Sequence, residues 1–68
     1  MDDEQFNLDL RKFLKRFGVN AQREIEEAVR RGHESGALDG KSIVKVRARL
    51  EFDGLEGGLE IEEDLHVG

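Results

Sequence analysis

The hydrophobic period of this chain changes at Asp39-Gly40, and the change separates a helical part from a β part. Before this turn, apolar residues recur every three or four positions, which is the spacing of an amphipathic helix. After it, apolar and charged residues alternate over 44–52, which is the spacing of a strand with one buried side. The sequence therefore predicts an α+β fold.

A first helix is predicted over about 3–17. Its apolar residues fall on one stripe of the helical period: Phe6, Leu10, Phe13, Leu14 and Phe17. Acids lie at its N-terminal end and bases near its C-terminal end, as the helix dipole favours. Gly18 follows as a left-handed cap residue that ends the helix.

A second helix is predicted over about 20–35, because Asn20 is a good N-cap. Its apolar residues are Ala21, Ile25, Ala28 and Val29. Gly36 is the predicted stop. Since one residue separates the two helices, we expect them to meet at a steep angle.

Two strands follow, predicted over about 42–52 and 57–65. Between them, Asp53-Gly54-Leu55-Glu56-Gly57-Gly58 is rich in turn residues. A two-residue turn at Gly54-Leu55 would join the strands as a type II′ hairpin. A bulge at the last two glycines would change the register.

Charge favours one register of this hairpin. The turn at Gly54-Leu55 sets Leu50 opposite Leu59 on the apolar face. On the other face, bases then oppose acids in three pairs: Lys45 with Asp64, Arg47 with Glu62, and Arg49 with Glu60. Opposite charges directly across two strands stabilise the pairing by about 0.2–1 kcal/mol, whereas like charges destabilise it.

These elements predict an ααββ fold, in which two amphipathic helices pack on one face of an antiparallel β-hairpin in a single small domain over 1–68. A two-stranded sheet is only marginally stable alone, and both of its strands are edge strands with unpaired backbone groups. In so small a chain, the free energy gained by burying apolar surface barely offsets the conformational entropy lost on folding. We therefore expect a homodimer formed through the hairpin edges, or another protein as partner.

Composition excludes several classes of function. The 68 residues contain no cysteine, tryptophan or tyrosine, so thiolate metal sites, cysteine nucleophiles and aromatic stacking platforms are not expected. The net charge of −5 disfavours phosphate backbones as ligands. No apolar run is long enough to span a bilayer, and the acidic N-terminus is unlike a signal peptide.

Two groups of side chains are candidates for metal or catalytic sites. The acids Glu60, Glu62, Glu63 and Asp64 offer oxygen ligands for Ca²⁺ or Mg²⁺, but a cross-strand ladder with the bases of the first strand is the favoured interpretation. His33 and His66 show no ligand spacing and are interpreted as solvated. The sequence predicts no catalytic, cofactor or metal site, and no enzyme.

A basic face on the first helix supports an alternative function, the binding of nucleic acid. This face comprises Arg11, Lys12, Lys15 and Arg16, with Arg23 close by. Two helices joined at Gly18 also resemble a helix-turn-helix. The acids Glu24, Glu26 and Glu27 oppose this interpretation, because a recognition helix presents bases or amides to DNA.

The N-terminal half of the chain resembles a family of short bacterial proteins of unknown function, mainly over 6–29. The matching residues are Phe6-Asn7, Arg11-Lys12-Phe13-Leu14-Lys15, Gly18-Val19, Gln22-Arg23-Glu24-Ile25-Glu26 and Ala28-Val29. The resemblance implies a bacterial, cytoplasmic protein and transfers no catalytic residue.

The sequence thus favours a non-enzymatic module for protein interaction or self-association. Exposed hairpin edges would recruit a partner strand. The candidate interaction residues are Arg11, Lys12, Lys15, Arg16, Lys45, Arg47, Arg49, Glu60 and Glu62.

Overall fold

A computed structural model describes residues 2–68 and shows a helix followed by a β-hairpin. The helix, α1, spans Asp3–Ser35, and the strands β1 and β2 span Ile43–Leu50 and Leu59–His66. The predicted α+β class is confirmed. The chain divides between Ala37 and Leu38 into a helical unit and a hairpin unit, and each is described by itself.

Polar caps define both ends of α1. Asp2 has an extended backbone, and its Oδ1 accepts a hydrogen bond from the backbone N–H of Gln5 at 3.1 Å, as an N-cap does. At the other end, Gly36 adopts a left-handed conformation with φ of 83°, which is favourable for glycine. The Oγ of Ser35 accepts a further bond from the N–H of Ala37 at 3.2 Å. Gly36 therefore ends the helix, as predicted.

The prediction of two helices is wrong, because α1 continues through Gly18 and Asn20. Gly18 is not among the glycines with positive φ, so it does not cap a helix. The side-chain amide of Asn20 donates to the carbonyl of Arg16 at 2.7 Å, a bond made within a helix rather than at its start. A glycine inside a helix costs about 1 kcal/mol relative to alanine, which continued hydrogen bonding outweighs. The predicted steep angle between two helices is likewise wrong.

The register predicted for the hairpin is confirmed. β1 and β2 are antiparallel, with Leu50 opposite Leu59 and Arg47 opposite Glu62. The other two predicted charge pairs, at Lys45 and Arg49, are also in register. The backbone N–H of Val67 donates to the carbonyl of Ser42 at 2.9 Å, so the C-terminal residues extend the ladder beyond β2.

The connection between the strands is longer than the predicted two-residue turn. The ladder stops at Leu50 and Leu59, so residues 51–58 form the loop. Gly58 has φ of 149°, and a Cβ there would lie 2.7 Å from the carbonyl oxygen of Leu50. Gly57 has φ of 112° and lies beside the ring of Phe52. These conformations exclude both glycines from the hydrogen-bonded ladder. The first strand was predicted to end at 52 and the second to begin at 57, so both strands are shorter at the loop than predicted.

Burial is slight throughout the described part of the chain, where no hydrophobic side chain is buried. β1 alternates between exposed and half-buried residues, as its sequence alternates between charged and apolar. The packing of helical segments on the hairpin in one domain stays a prediction. Within residues 2–68, no helix is both long and apolar enough to cross a membrane.

Candidate interaction surfaces

The largest candidate surface is a stripe of apolar side chains along α1, which we call the α1 apolar face. It consists of Phe6, Leu10, Phe13, Leu14, Phe17, Ala21, Ile25 and Ala28. The two predicted helices contributed these residues separately, but they form one stripe because Ala21 follows Phe17 by four residues, in phase with the helical period. The apolar stripe keeps its phase from Phe17 to Ala21, and this continuity is the sequence signal for a single helix. The capping residues Gly18 and Asn20 do not reveal it.

Much of the α1 apolar face lies open to solvent. Phe6 and Phe13 are 50% and 51% exposed, and Leu14 is 55% exposed. The face becomes half-buried only at Ala21 and Ile25 in the second half of the helix. Aromatic and leucine side chains in this number are typical of a surface that another element covers.

A shallow concavity lies midway along this face. It is lined by Phe13, Arg16, Phe17, Asn20, Ala21 and Glu24, and it is broadly open to solvent. Ala21 has the smallest side chain of these six residues. Such a shape can receive one apolar side chain and does not enclose a small molecule.

Three of the four candidate bases of α1, Arg11, Lys12 and Lys15, lie away from the α1 apolar face, whereas Arg16 borders it at the concavity. Arg11 and Lys15 are one helical turn apart, and so are Lys12 and Arg16. The ion pairs formed by residues 2–68 all lie in the hairpin, so none involves these four side chains. The helix-turn-helix resemblance is wrong, because α1 is one helix. The structure therefore places the four bases along one stretch of α1, with Arg16 at the border of the apolar face, and does not place them on a recognition helix.

The candidate residues of the hairpin form a charged face. Glu62 lies between two bases: its Oε1 is 3.0 Å from Nε of Arg47 and its Oε2 is 3.7 Å from Nζ of Lys45. Arg49 reaches both Glu60 at 3.7 Å and Glu51 at 3.6 Å. The ion pair of Lys45 is thus diagonal, although Asp64 is its partner in the register. All these side chains are about half exposed or more, so each pair contributes at most about 1 kcal/mol.

The edges of the hairpin carry opposite charges. Because Val67 donates to Ser42, the hydrogen-bonded pairs fall on the even-numbered residues of β1. The backbone groups of Lys45, Arg47 and Arg49 therefore point outward from β1. Those of Glu60 and Glu62 point outward from β2. One edge of the sheet is basic and the other is acidic.

The acids of β2 do not converge on one point. Glu60, Glu62 and Asp64 lie on the charged face, whereas Glu63 lies on the opposite face across from Val46. No three histidine, aspartate or glutamate side chains among residues 2–68 are grouped so as to hold a metal ion. His33 lies in the last turn of α1 and His66 at the end of β2.

A family model, described as a family of unknown function, matches residues 1–68. The chain belongs to family DUF6494. The resemblance noted over 6–29 is confirmed, and family membership extends through the hairpin to the end of the chain. Neither a curated protein nor a solved structure matches the chain.

Proposed function

We propose that this DUF6494 chain is a non-enzymatic interaction module that self-associates through the α1 apolar face. The observation that carries the proposal is the exposure of Phe6, Phe13 and Phe17 along a single helix, at 50%, 51% and 44%. Burial of apolar surface lowers free energy by about 25 cal/mol per Å². A helix of this kind is stabilised chiefly by packing its apolar side against a partner.

The charged residues support a module without catalysis. General acid–base chemistry needs titratable groups that converge on a site shielded from water. Here Arg47 and Glu62 pair with each other on an exposed face, and Glu63 points to the other side of the sheet. The concavity at Ala21 is open to solvent, so it does not shield a reacting group from water.

Charge favours α1 over the hairpin edges as the surface of self-association. An edge-to-edge dimer with two-fold symmetry sets a strand against its own copy. On the β1 edge this opposes Lys45, Arg47 and Arg49 to the same three bases. On the β2 edge it opposes acids to acids. Like charges directly across strands destabilise pairing, so the edge dimer stays a prediction that the charges disfavour.

Sedimentation velocity over a range of concentrations tests the proposal. The unmodified chain is expected to shift from monomer to dimer as concentration rises. Phe13→Ala with Phe17→Ala should weaken the dimer, because the exposed apolar area falls. Leu8→Ala is the matched control: Leu8 is 46% exposed but lies outside the α1 apolar face. A monomer at high micromolar concentration, or equal effects of both variants, would count against the proposal.

A further inference from the structure

We infer that two copies of α1 pair in antiparallel orientation, with a two-fold axis between Phe17 and Ala21. This inference rests on the proposed self-association and adds its orientation and register. Three independent features of α1 support it: the spacing of the seam, the sizes of its side chains, and the order of its charges.

The spacing of the apolar residues is the same read from either end. The seam runs along the centre of the α1 apolar face and continues one turn beyond it to Gly32. It consists of Phe6, Leu10, Phe13, Phe17, Ala21, Ile25, Ala28 and Gly32. The first four are separated by four, three and four residues, and so are the last four. A two-fold axis at the centre therefore superposes the seam of one helix on that of the other, as knobs-into-holes packing requires.

The side chains of the seam are all large in its first half, whereas three of the four residues in its second half are small and Ile25 is the exception. Antiparallel pairing sets a large residue against a small one in three pairs and joins two large residues in the fourth: Phe17 with Ala21, Leu10 with Ala28, Phe6 with Gly32, and Phe13 with Ile25. Parallel pairing sets Phe6 against Phe6 and Gly32 against Gly32, which crowds one end and leaves voids at the other. Helices pack best when large and small residues alternate across the interface.

The concavity at Ala21 supplies the socket that this register needs. Its lining includes Phe13 and Phe17 of the same helix, with Ala21 between them and the rest. In the antiparallel register, the partner's Phe17 is directed at Ala21. The two-fold axis makes this contact twice, so each helix contributes one aromatic side chain and receives one.

The charges of α1 alternate in blocks along its length. The acids Asp2, Asp3, Glu4 and Asp9 come first, and the bases Arg11, Lys12, Lys15 and Arg16 follow. The acids Glu24, Glu26 and Glu27 come next, and the bases Arg30 and Arg31 are near the end. Antiparallel pairing sets acidic blocks against basic ones, with Arg23 and Glu34 as exceptions, whereas parallel pairing sets like against like.

Two ion pairs are specific to the antiparallel register. Arg16 and Glu24 lie on the same side of the seam and line the same concavity. The two-fold axis brings Arg16 of one helix to Glu24 of the other. By the same geometry, Asp9 faces Arg31 across the dimer. The helix dipoles also run in opposite directions.

Disulfide trapping tests the orientation directly, because the chain contains no cysteine. Leu10→Cys and Ala28→Cys are prepared separately, mixed and oxidised gently, and the products are separated by mass. A disulfide requires Cα atoms about 6 Å apart. The antiparallel register predicts that the mixed 10–28 product predominates. Leu8→Cys with Val19→Cys, two exposed positions off the seam, is the matched control and should not cross-link.

Predominance of 10–10 and 28–28 products would overturn the antiparallel register and leave self-association intact. A monomer in sedimentation of the unmodified chain would overturn both proposals. Circular dichroism of each variant shows whether it still folds. If a cysteine variant does not fold, charge reversal provides a second test that leaves the seam unchanged.

The charge test uses two double variants, Asp9→Lys with Glu24→Lys and Arg16→Glu with Arg31→Glu. Each double variant alone sets like charges across its own dimer, so its self-association should weaken. A mixture restores opposite charges at all the interfacial positions and should associate about tenfold more tightly than either variant alone. A mixture no tighter than its components would contradict the register.

Discussion

The side-chain amide of Asn20 donates a hydrogen bond to the backbone carbonyl of Arg16, one turn back along α1, at 2.7 Å. An N-cap residue accepts bonds from residues that follow it, so this geometry excludes a helix start at Asn20. The continuity of α1 follows, and with it the continuity of the α1 apolar face.

Replacement of Asn20 by alanine distinguishes one helix from two. In the continuous helix, Asn20→Ala should leave the free energy of unfolding unchanged or raise it by a few tenths of a kcal/mol, since alanine is the better helix former. At an N-cap, the same change costs about 1 kcal/mol. Asp2→Ala is the matched control and should show that loss, because Asp2 caps Gln5. Urea unfolding followed by circular dichroism measures both.

Gly18→Ala is expected to stabilise the protein by about 0.5–1 kcal/mol. Gly18 has no positive φ, and a Cβ there meets no atom within 4 Å. Gly36→Ala should instead destabilise, because φ at Gly36 is 83°. Thermal unfolding of the two variants gives the comparison, and a loss of stability at Gly18 would show that the helix ends there.

Gly58→Ala should destabilise the hairpin by about 1–3 kcal/mol, because both backbone conformation and space oppose a side chain. Its φ is 149°, and the new Cβ would lie 2.7 Å from the carbonyl oxygen of Leu50. Gly54→Ala separates these two causes: φ there is 75°, but no atom lies within 4 Å. Hydrogen exchange of the β1 amides should show the larger loss of protection at Gly58→Ala. Equal losses would mean that space plays no part.

Glu62→Gln should cost less than about 1 kcal/mol despite breaking two ion pairs. Glu62 is 3.0 Å from Arg47 and 3.7 Å from Lys45, but all three side chains are about half exposed or more. The loss should shrink as salt is added. Glu63→Gln, on the opposite face, is the control and should show little salt dependence. Denaturant titrations at low and high salt measure both, and a large salt-independent loss would contradict this explanation.

The basic face of α1 is expected not to bind nucleic acid, even at low salt. Arg11, Lys12, Lys15 and Arg16 are accompanied on α1 by acids both before and after them. Binding through phosphates weakens steeply as salt rises. A gel-shift titration at low salt should show no shift up to high micromolar protein. A shift that disappears with salt, and is lost in Lys12→Gln with Arg16→Gln, would instead support the alternative function.

The hairpin could be predicted from sequence in register but not in length. Two signals agreed on the register: the alternation of apolar residues and the match of Arg47 with Glu62 across the strands. The length of the loop depends on Gly57 and Gly58, whose backbone conformations remove them from the ladder. Glycine permits such conformations but does not require them, so sequence alone did not reveal the loop.

In the helix, two sequence signals disagreed: the boundary residues predicted a break, whereas the apolar stripe continued. Gly18 and Asn20 are typical boundary residues, and together they predicted a break. The apolar stripe keeps its phase from Phe17 to Ala21, and α1 continues through Gly18 and Asn20 as one helix. Local residue preference is a weak guide where an apolar stripe continues in phase, since each such preference contributes only about 1 kcal/mol.

The separation of charge between β1 and β2 affects how hairpins of neighbouring molecules contact each other at high protein concentration. With bases along one edge and acids along the other, neighbouring hairpins attract only when the β1 edge of one meets the β2 edge of the next. Such head-to-tail contacts use two different edges, so they do not end at a two-fold dimer and leave one edge free at each end. The hairpin therefore has a charge polarity across its sheet, and we expect added salt to weaken any attraction between a β1 edge and a β2 edge.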